Sequence, residues 1–582
     1  MPSIVPVKRE PVAFSWLWSR PWRSAALLVV AVALCYWNSL GAPFLFDDID
    51  AVVNNPTIRH LASLAALDPP ADGNTAMGRP IINFSFAINH AISGERVWSY
   101  HALNVAIHML AVLTLMSVVR RTLSGPILRE RFGAAARPLA FLIALLWALH
   151  PLQTESVVCI AQRAESLCGL CYLLTLYGFI RGTEPGARSG RWFAFSVAVG
   201  LVDMGAKEVM VTAPLVVLLY DRTFVAGGFS AAWRQRRVYY SALACTWLLL
   251  AWLVSRGGGT RGVSAGFGLG VSWWTYLLTQ GGAILHYLKL SIWPHPLVLD
   301  YGNAVARSVA DVWWQAIVVL ACLGLTIWAL IRKPVAGFLG AWFFVILAPS
   351  SSVLPIVTQT MAEHRMYLPL AGIVGLAVCG VYATIGQRCT AFLLVLAAVF
   401  GVLTAQRNAD YRSELGIWSD TVARCPDNYR ARNTLADVLV RLGRDREAIG
   451  HCEAALRLNP RYAVAYNTLG NALANTGHPA EAIIQYEEAL QLEPGFVEAH
   501  SNLGNVLLTI PGRLPEAVAH FEIALRIRPD FAALHFNLGN ALLGFPERRP
   551  EAIEHFQTAL RLEPGLQPAR QMLEKLATAQ RN

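Results

Sequence analysis

Charged residues are scarce in this sequence. Only 15% of its 582 residues are Asp, Glu, Lys or Arg, whereas 55% are hydrophobic, and the mean hydropathy is +0.43. This balance excludes an ordinary soluble globular protein and indicates a polytopic membrane protein. Long apolar runs fill the sequence from about residue 24 to residue 405, whereas from Asp410 onward it is polar and rich in Ala and Leu. The chain therefore contains two units that face different solvents.

Clustered cysteines are also lacking. The ten cysteines are scattered, and most lie inside apolar runs. Cys168 and Cys171 have the spacing of a metal or redox pair, but neither a second pair nor a His stands near them in the sequence. We therefore interpret them as small buried hydrophobic residues. A disulfide between Cys425 and Cys452 in the polar part stays open, because it depends on the compartment that this part faces.

The net charge of +10 does not indicate a nucleic-acid partner. Much of the excess basicity lies in short loops between apolar runs, which is the positive-inside pattern of a membrane protein. Residues 1–23 carry basic side chains before the first apolar run, and no small-residue cleavage site follows them. We therefore predict an uncleaved signal anchor with its N-terminus in the cytoplasm.

The apolar runs predict a transmembrane domain over residues 24–405 with about 11 crossings. Its first outer loop covers residues 41–100. Spans at about residues 138–149 and 156–180 form a later hairpin. A connector, 406–426, joins this domain to the polar unit.

One stretch of the membrane half, residues 271–293, is ambiguous. A crossing there would place Arg332 and Lys333 outside, so the basic-loop rule favours an interfacial or re-entrant segment. The number of crossings is then odd. The C-terminal unit is accordingly predicted to lie outside the cytoplasm.

The polar unit repeats with a period of 34 to 35 residues. A Leu-x-Pro motif or its near match recurs at Pro460, Pro494, Pro529 and Pro564. A Leu-Gly or Leu-Ala pair marks the first helix of each unit, and an Ala followed four positions later by a large residue marks the second. The small residues let two antiparallel helices approach closely, and an aromatic ring fills the gap. This tetratricopeptide pattern predicts an α-solenoid over residues 427–582, with four repeats and a capping helix.

Asparagines recur in the predicted groove of this solenoid. Their amides donate and accept hydrogen bonds, so a ladder of them can hold an extended peptide backbone. The alternative is that Asn packs well at these positions of the repeat and binds nothing. The candidate acceptor-groove residues are Asn471, Asn502, Asn505, Asn537 and Asn540.

Polar residues of the membrane half fall mainly at outer loop ends under the predicted topology. The most prominent are the adjacent acids Asp47 and Asp48, just after the first apolar run. Charged groups near bilayer depth are expensive, so a cluster of them on one side indicates a functional site. A carboxylate there can deprotonate a hydroxyl, and cations can hold a phosphate leaving group. The simpler alternative is that the charges pair with one another and seal helix ends.

Several short motifs of the membrane half stand in a characteristic order. They are Phe46-Asp47-Asp48, Arg79-Pro80, Tyr100-His101 with Asn104 and His108, His150-Pro151 with Thr154-Glu155, Lys207-Glu208, Asp300-Tyr301, and Glu363-His364-Arg365 with Tyr367-Leu368-Pro369. With the repeats that follow, these motifs resemble the transmembrane-and-TPR O-mannosyltransferase family, a branch of the GT-C glycosyltransferases, over nearly the whole chain. His364 departs from the pattern, because Glu and Arg are expected to be adjacent there.

The resemblance implies an all-α fold, in which a polytopic GT-C-type membrane domain precedes the solenoid. It implies an inverting transfer of a sugar, mannose in this family, from a polyprenyl-phosphate carrier to Ser or Thr hydroxyls of a protein held by the repeats. Catalysis would fall to Asp47, Asp48 and Glu155, with Asp48 slightly preferred as the base. No metal is expected, because protein cations would stabilise the phosphate. The candidate phosphate-binding residues are Lys207, His364, Arg365 and Arg163, and the other outer-face residues are His150, Glu208, Glu363, Arg79 and His101.

Two other functions compete with this one. A membrane-anchored scaffold would use the repeats to assemble an envelope or secretory complex, with purely structural acids. A transporter is less consistent with the sequence, because no paired broken helices or inverted repeat are visible. For the enzyme, the predicted location is a bacterial inner membrane with periplasmic repeats, or an ER membrane with lumenal repeats in a eukaryote. The sugar, the acceptor and the carrier lipid stay open.

Overall fold

The computed structural model describes residues 20–581 except 62, 69–76, 257–270, 307, 353–354 and 357. The described residues form helices and no β-strand, so the predicted all-α fold is confirmed. The chain forms two compact units, Met1–Ile417 and Trp418–Asn582. Most of the predicted cytoplasmic segment 1–23 lies outside the described residues.

The first unit consists of apolar helices joined by short loops. Its helices are α1 (Pro21–Tyr36), α2 (Pro80–Ser93), α3 (Trp98–Ser124), α4 (Arg129–Phe132), α5 (Ala136–Ala148), α6 (Thr154–Val158), α7 (Arg163–Thr183), α8 (Ser189–Asp203), α9 (Ala213–Tyr220), α10 (Phe229–Arg256), α11 (Trp273–Ile292), α12 (Trp313–Arg332), α13 (Pro334–Leu347), α14 (Pro369–Ile385) and α15 (Cys389–Asp410). Helix α5 lies at the centre, because all its side chains except Arg137 are buried.

Several of these helices are long and apolar enough to cross a membrane. Within the described residues five segments qualify, and a sixth does if the bent pair α6 and α7 counts as one span. They are Trp98–Ser124, Arg129–Ala148, Phe229–Ser255, Trp313–Arg332 and Pro369–Asp410, with Pro151–Val158 plus Arg163–Thr183 as the bent pair. The unit is therefore a membrane domain, while the 11 crossings and their sidedness stay predictions.

The Pro369–Asp410 segment is a hairpin of α14 and α15. Just before α14, the carbonyl oxygen of Tyr367 accepts a hydrogen bond from the Trp147 indole at 2.8 Å. Near the end of α15, the Thr404 hydroxyl donates to the carbonyl oxygen of Leu149 at 2.8 Å. Both ends of the segment thus reach the same turn after α5, so the two helices run antiparallel.

The predicted span at about residues 156–180 is interrupted near its start. Helix α6 ends at Val158, α7 begins at Arg163, and the two axes differ by 108°. The intervening residues, Cys159 to Gln162, are buried although they leave the helix. Such a break frees backbone N–H groups for other acceptors, which becomes important at the acid pair.

The ambiguous stretch 271–293 forms helix α11. Ser272 caps it, because its hydroxyl oxygen accepts a hydrogen bond from the Thr275 amide at 3.0 Å. Tyr276 and Tyr287 are fully buried on its inner face. The helix is not among the segments that are apolar enough to span, and its interfacial interpretation stays a prediction.

The second unit is built from helix pairs, and helix α16 (Glu414–Arg424) precedes them across the boundary of the units. The pairs are α17 (Tyr429–Arg441) with α18 (Asp445–Leu458), α19 (Ala463–Asn475) with α20 (Pro479–Leu492), α21 (Val497–Leu507) with α22 (Leu514–Ile527), and α23 (Ala532–Leu542) with α24 (Arg549–Leu562); α25 (Gln567–Arg581) follows. The four predicted repeats and the closing helix are thus present.

Small residues and aromatic rings make the close contacts within the repeats. A Cβ added to Gly470 would lie 2.6 Å from the Tyr486 ring, and one added to Gly504 would lie 2.8 Å from the Phe521 ring. Gly539 meets Phe556 in the same way. Any larger side chain at these positions would push the two helices apart.

One hydrogen bond recurs along the solenoid. A side chain in the first turns of a helix donates to the carbonyl oxygen of a proline six residues earlier, which closes the turn between repeats. The donors are Arg432 to Pro426 (2.7 Å), Tyr466 to Pro460 (3.3 Å), His500 to Pro494 (3.1 Å), His535 to Pro529 (3.0 Å) and Arg570 to Pro564 (2.9 Å).

Two of these donors also form histidine pairs. The Nδ1 atoms of His500 and His520 lie 2.9 Å apart, and so do those of His535 and His555. Because Nε2 of His500 and of His535 donates to a proline carbonyl, the neutral ring of each accepts at Nδ1 from its partner. In contrast, no disulfide joins Cys425 and Cys452.

Candidate active site

The acid pair follows a strained residue. Phe46 has φ +51° and is the one non-glycine residue with a positive φ in the described part of the chain, so the backbone turns sharply just before Asp47. The Asp48 carboxylate is 1% exposed, and it accepts hydrogen bonds from the amides of Leu45 (3.1 Å) and Ala161 (2.6 Å). Ala161 belongs to the break between α6 and α7. Asp48 therefore fastens the outer loop to that break.

Asp47 is placed differently. It is half-buried, and its carboxylate accepts no hydrogen bond from any residue that the structure describes. Burial, followed by the charges of Asp48 and Glu155, raises the pKa of Asp47 to about 7. Burial raises the pKa of Asp48 to about 6, against the opposing effect of its two amide donors. A base works best with an open lone pair and a pKa near the operating pH, so the geometry favours Asp47 over the Asp48 that the sequence slightly favoured.

Glu155 forms a buried pair with His364. One carboxylate oxygen lies 2.7 Å from His364 Nδ1, and the other accepts from the His364 amide at 3.0 Å. Burial lowers the pKa of His364 to about 3, so the ring is neutral and Nδ1–H donates to Glu155. The lone pair of Nε2 then faces Glu165, whose nearest oxygen is 3.8 Å away.

Two cations lie beside these acids. Lys207 forms an ion pair with Glu165, and Arg79 lies 3.7 Å from the Glu208 carboxylate. Arg79 also interacts electrostatically with Asp47 and Glu165. The sequence treated Arg79 as a general outer-face residue, whereas in the structure its charge acts on Asp47 of the acid pair. Over the described residues, no three His, Cys, Asp or Glu side chains are grouped so as to hold a metal ion.

Glu363 orders the neighbouring loop. Its carboxylate accepts from the Val298 amide at 2.5 Å and from the Tyr301 hydroxyl at 2.7 Å. Asp300 in the same loop adds to the negative potential at Asp47. Sequence reasoning assigned no role to Asp300 or Tyr301, although their string was one of the family motifs and was the available signal.

Arg163 is committed to the protein interior. It is fully buried, and its guanidinium donates to the Asn104 side chain (2.6 Å), the Ser85 hydroxyl (3.0 Å) and the carbonyl oxygen of Tyr100 (3.0 Å). These bonds join α2, α3 and α7. The arrangement is that of a structural guanidinium, and it leaves little capacity for a substrate phosphate.

Arg365 also forms hydrogen bonds with the backbone. Its guanidinium donates to the carbonyl oxygens of Ser350 (3.2 Å), Gln359 (2.5 Å) and Thr360 (3.2 Å). It thereby holds the loop before Glu363. Of the four predicted phosphate-binding residues, Lys207 and His364 lie beside the acids with side-chain partners only.

The two remaining predicted histidines bind backbone groups. His150 Nε2 lies 3.2 Å from the carbonyl oxygen of Ser291, and its Nδ1 accepts from the Leu152 amide at 3.2 Å. His101 Nε2 lies 2.9 Å from the carbonyl oxygen of Ala42. Both side chains are buried, and they position the loops that carry the acids.

The predicted groove asparagines lie in the repeat unit. The Asn471 side chain accepts from the Tyr486 hydroxyl at 2.8 Å, and Asn502 donates to Asn467 at 3.0 Å. Asn505 is exposed, whereas Asn537 and Asn540 are half-buried. The side chains of Asn471 and Asn502 each make a hydrogen bond within the solenoid. Asn505 is the most accessible to a peptide.

Comparison with known proteins gives relatives for both units. The tetratricopeptide repeat family matches residues 404–463, 467–530 and 511–566. Human protein O-mannosyl-transferase TMTC1 is 29% identical over 76% of this chain and 56% of its own length. Human TMTC4 is 27% identical over 73% and 65%, and the Caenorhabditis elegans protein O-mannosyl-transferase F38B6.6 is 24% identical over 76% and 63%. The chain therefore spans about 56 to 65% of the length of these curated relatives.

Solved structures match only part of the chain. The protein in the structure titled "Crystal structure of MamA protein" is 24% identical, with a TM-score of 0.24, over 27% of this chain and 86% of its own. YrrB, titled a TPR protein with an unusual peptide-binding site, is 23% identical, with a TM-score of 0.24, over 30% and 89%.

Proposed function

We propose that this chain, a relative of the protein O-mannosyl-transferases over about three quarters of its length, transfers mannose from a polyprenyl-phosphate carrier to Ser or Thr hydroxyls of proteins. The observation that carries the proposal is the half-buried Asp47 carboxylate beside Glu155. It lies at the surface of an apolar domain, where a lipid-borne substrate arrives. The sugar identity rests on the names of the relatives.

The proposed reaction is a single displacement. The acceptor hydroxyl attacks the anomeric carbon from the face opposite the phosphate, a new C–O bond forms, and the bond between that carbon and the phosphate oxygen breaks. The hydroxyl proton moves to Asp47, and the polyprenyl phosphate leaves as an anion. Asp48 positions Asp47 through the loop, and the Glu155–His364 pair positions the segment that ends in Arg365.

Protein cations are proposed to stabilise the leaving phosphate. Lys207 and Arg79 lie beside the acids, and their attraction to the phosphate grows as the bond to carbon breaks. We therefore propose a transfer that needs no divalent metal. Activity that is unchanged after EDTA treatment is the expected result, and activity restored only by Mg²⁺ or Mn²⁺ would contradict it.

The repeat unit is proposed to hold the protein acceptor on the side of the membrane away from the cytoplasm. Asn505 is exposed at one of the recurring asparagine positions, which supports contact with an extended peptide. Replacing Asn505 with Ala is expected to raise KM for a protein acceptor. The same change should leave KM for a short Ser peptide unaltered.

The test of the catalytic assignment compares three aspartates of one loop. Purified Asp47→Asn, Asp48→Asn and Asp50→Asn variants are assayed for transfer from polyprenyl-phosphate mannose to a Ser/Thr peptide. Asp50 is exposed, so Asp50→Asn serves as the matched control and is expected to retain most activity. Loss of a general base typically costs 10²- to 10⁴-fold, and we expect the largest loss at Asp47. Equal activity of Asp47→Asn and the wild type would refute the assignment.

The same assay separates an enzyme from a scaffold. A scaffold predicts no transfer by the wild type with any polyprenyl-phosphate sugar. A scaffold also predicts that every aspartate variant still assembles with its partner proteins. Transfer by the wild type and its loss in Asp47→Asn would exclude that function for the acid pair.

A further inference from the structure

The membrane domain contains a second concave feature, far from the acid pair. A cavity of about 450 Å³ is walled by α3, α9, α13 and α14, and most of its lining side chains are aliphatic or aromatic. Sites of this size and character hold lipid chains and other apolar ligands. Nothing in the proposed sugar transfer uses this space.

The cavity is elongated along α14. Its wall on this helix extends from Ala371 to Ala383, which at 1.5 Å per residue is about 18 Å. A Cβ at Gly380 would meet no atom within 4 Å, and one at Gly375 would meet only Leu339 at 3.7 Å. The space is therefore long, narrow and open beside the helix, as a hydrocarbon chain requires.

Two cations stand at the mouth of the cavity. Arg131 and Lys333 both line it, and both are exposed. Neither forms an ion pair with a residue that the structure describes; Arg131 lies over the Phe132 ring at 5.3 Å and Lys333 over the Trp328 ring at 5.9 Å. Glu130, the acid beside Arg131 in α4, is exposed and is not part of the lining.

The mouth is separated from the acid pair by the length of α3. Tyr100, near the start of α3, accepts a hydrogen bond from Arg163 beside the acid loop, whereas Thr122, near its end, lines the cavity. The 22 residues between them span about 33 Å, close to the thickness of a bilayer core. The cations therefore face the opposite membrane surface, which is the cytoplasmic one under the positive-inside rule.

We propose that this cavity binds an anionic phospholipid of the facing leaflet. One acyl chain fills the space beside α14, and the phosphate lies between Arg131 and Lys333. A zwitterionic lipid is disfavoured because the positive charge of its headgroup would be repelled by both cations. The sugar donor is disfavoured because its phosphate must reach Lys207 at the other end of the helix. Trp342 closes that end, since it is 5% exposed and its indole donates to the carbonyl oxygen of Leu368 at 2.9 Å.

The test measures lipid binding to the full chain in detergent by native mass spectrometry. The probes are dioleoyl phosphatidylglycerol, dioleoyl phosphatidylcholine and undecaprenyl phosphate. About 1 kcal/mol per basic residue predicts a preference of roughly 30-fold for phosphatidylglycerol over phosphatidylcholine. The double variant Arg131→Gln/Lys333→Gln is expected to lose this preference. The matched control Arg129→Gln/Arg332→Gln removes two neighbouring charges that do not line the cavity, and it should keep the preference.

A second variant tests the chain part of the site. Gly375→Leu projects a side chain into the cavity and is expected to weaken both phospholipids alike, while gel filtration confirms a monodisperse protein. If Gly375→Leu does not fold, Gly380→Leu tests the same space, because no atom lies near that position. Equal binding of the two phospholipids by the wild type would overturn the proposal. Displacement of phosphatidylglycerol by one equivalent of undecaprenyl phosphate would assign the cavity to the donor instead. These measurements do not depend on sugar transfer.

Discussion

Asp47 and Asp48 are adjacent and identical, but their carboxylates have different roles because their surroundings differ. Asp48 is fully buried and accepts two amide hydrogen bonds, so its charge is used to hold the outer loop. Asp47 accepts no such bond, and burial followed by the neighbouring like charges raises its pKa. The sequence shows two equivalent acids. Their division of roles depends on Ala161, more than a hundred residues away.

The raised pKa of Asp47 predicts a pH dependence of activity. A base must be deprotonated to accept a proton, so kcat/KM is expected to rise with pH and to level off above about pH 7. Below that value it should fall about tenfold per pH unit. Asp50→Asn removes one of the charges that raise this pKa, and we expect it to shift the acidic limb to lower pH. A pH–rate profile of the two proteins checks both points, and a limb that stays in place would show that Asp47 is not the titrating group.

Arg163 and Lys207 should respond differently to neutral replacement. Arg163→Met leaves the Asn104 side chain and the Tyr100 carbonyl oxygen without their buried donor, which is expected to cost about 3 kcal/mol of stability. Lys207→Met is expected to raise KM for the polyprenyl-phosphate sugar, and it also lowers stability because it leaves the buried Glu165 carboxylate without its ion-pair partner. Thermal unfolding in detergent and donor titration measure the two effects. A stable Arg163→Met protein with a raised KM for the polyprenyl-phosphate sugar would show instead that Arg163 binds the phosphate.

At the scale of elements, periodicity made the repeat unit predictable and concealed the broken helix. The 34- to 35-residue period marks both helices of each repeat, because small and aromatic residues recur in contact. The break after Val158 has no such periodic signal, since Cys159 to Gln162 contain neither Gly nor Pro. The sequence therefore predicted that outer polar residues gather together. It did not predict how the break supplies the amide that binds Asp48.

The packing of the repeats predicts that the effect of a glycine substitution on stability depends strongly on its position. Gly504→Val pushes a side chain against the Phe521 ring, 2.8 Å from the new Cβ, and overpacking of this kind costs about 1 to 3 kcal/mol. Gly450→Ala is the matched control, because no atom lies near its Cβ and Ala favours the helix by roughly 1 kcal/mol. Urea unfolding of the full chain, followed by proteolysis of the repeat unit, compares them. Equal midpoints would contradict the packing.

At the scale of the whole molecule, the sidedness of the two units is a prediction from charge. Eleven crossings were inferred from basic loops, and the helix over 273–292 is the element on which the parity depends. Two reporters are each fused after residue 582. Alkaline phosphatase is expected to be active there, and a fluorescent protein that fluoresces only in the cytoplasm is expected to show no fluorescence. The opposite pattern would mean that α11 crosses the membrane. It would also separate the repeats from the side on which the acids are proposed to work.

The histidine pairs of the third and fourth repeats make acid the weak point of the solenoid. Burial and then the partner histidine lower the pKa of His520 and of His555, with Arg513 and Arg548 acting in the same direction and Glu516, Glu551 and Glu554 opposing them. The folded unit thus resists protonation, and its stability is complete above the ordinary histidine pKa of 6.5 and declines as the pH falls below it. The first and last proline-bound donors are arginines, which stay charged throughout this range. In an acidified compartment the third and fourth repeats would therefore open more readily than the first repeat. Hydrogen exchange at pH 7.5 and pH 5, corrected for the intrinsic exchange rate at each pH, is expected to show a larger loss of protection in α21 to α24 than in α17 and α18.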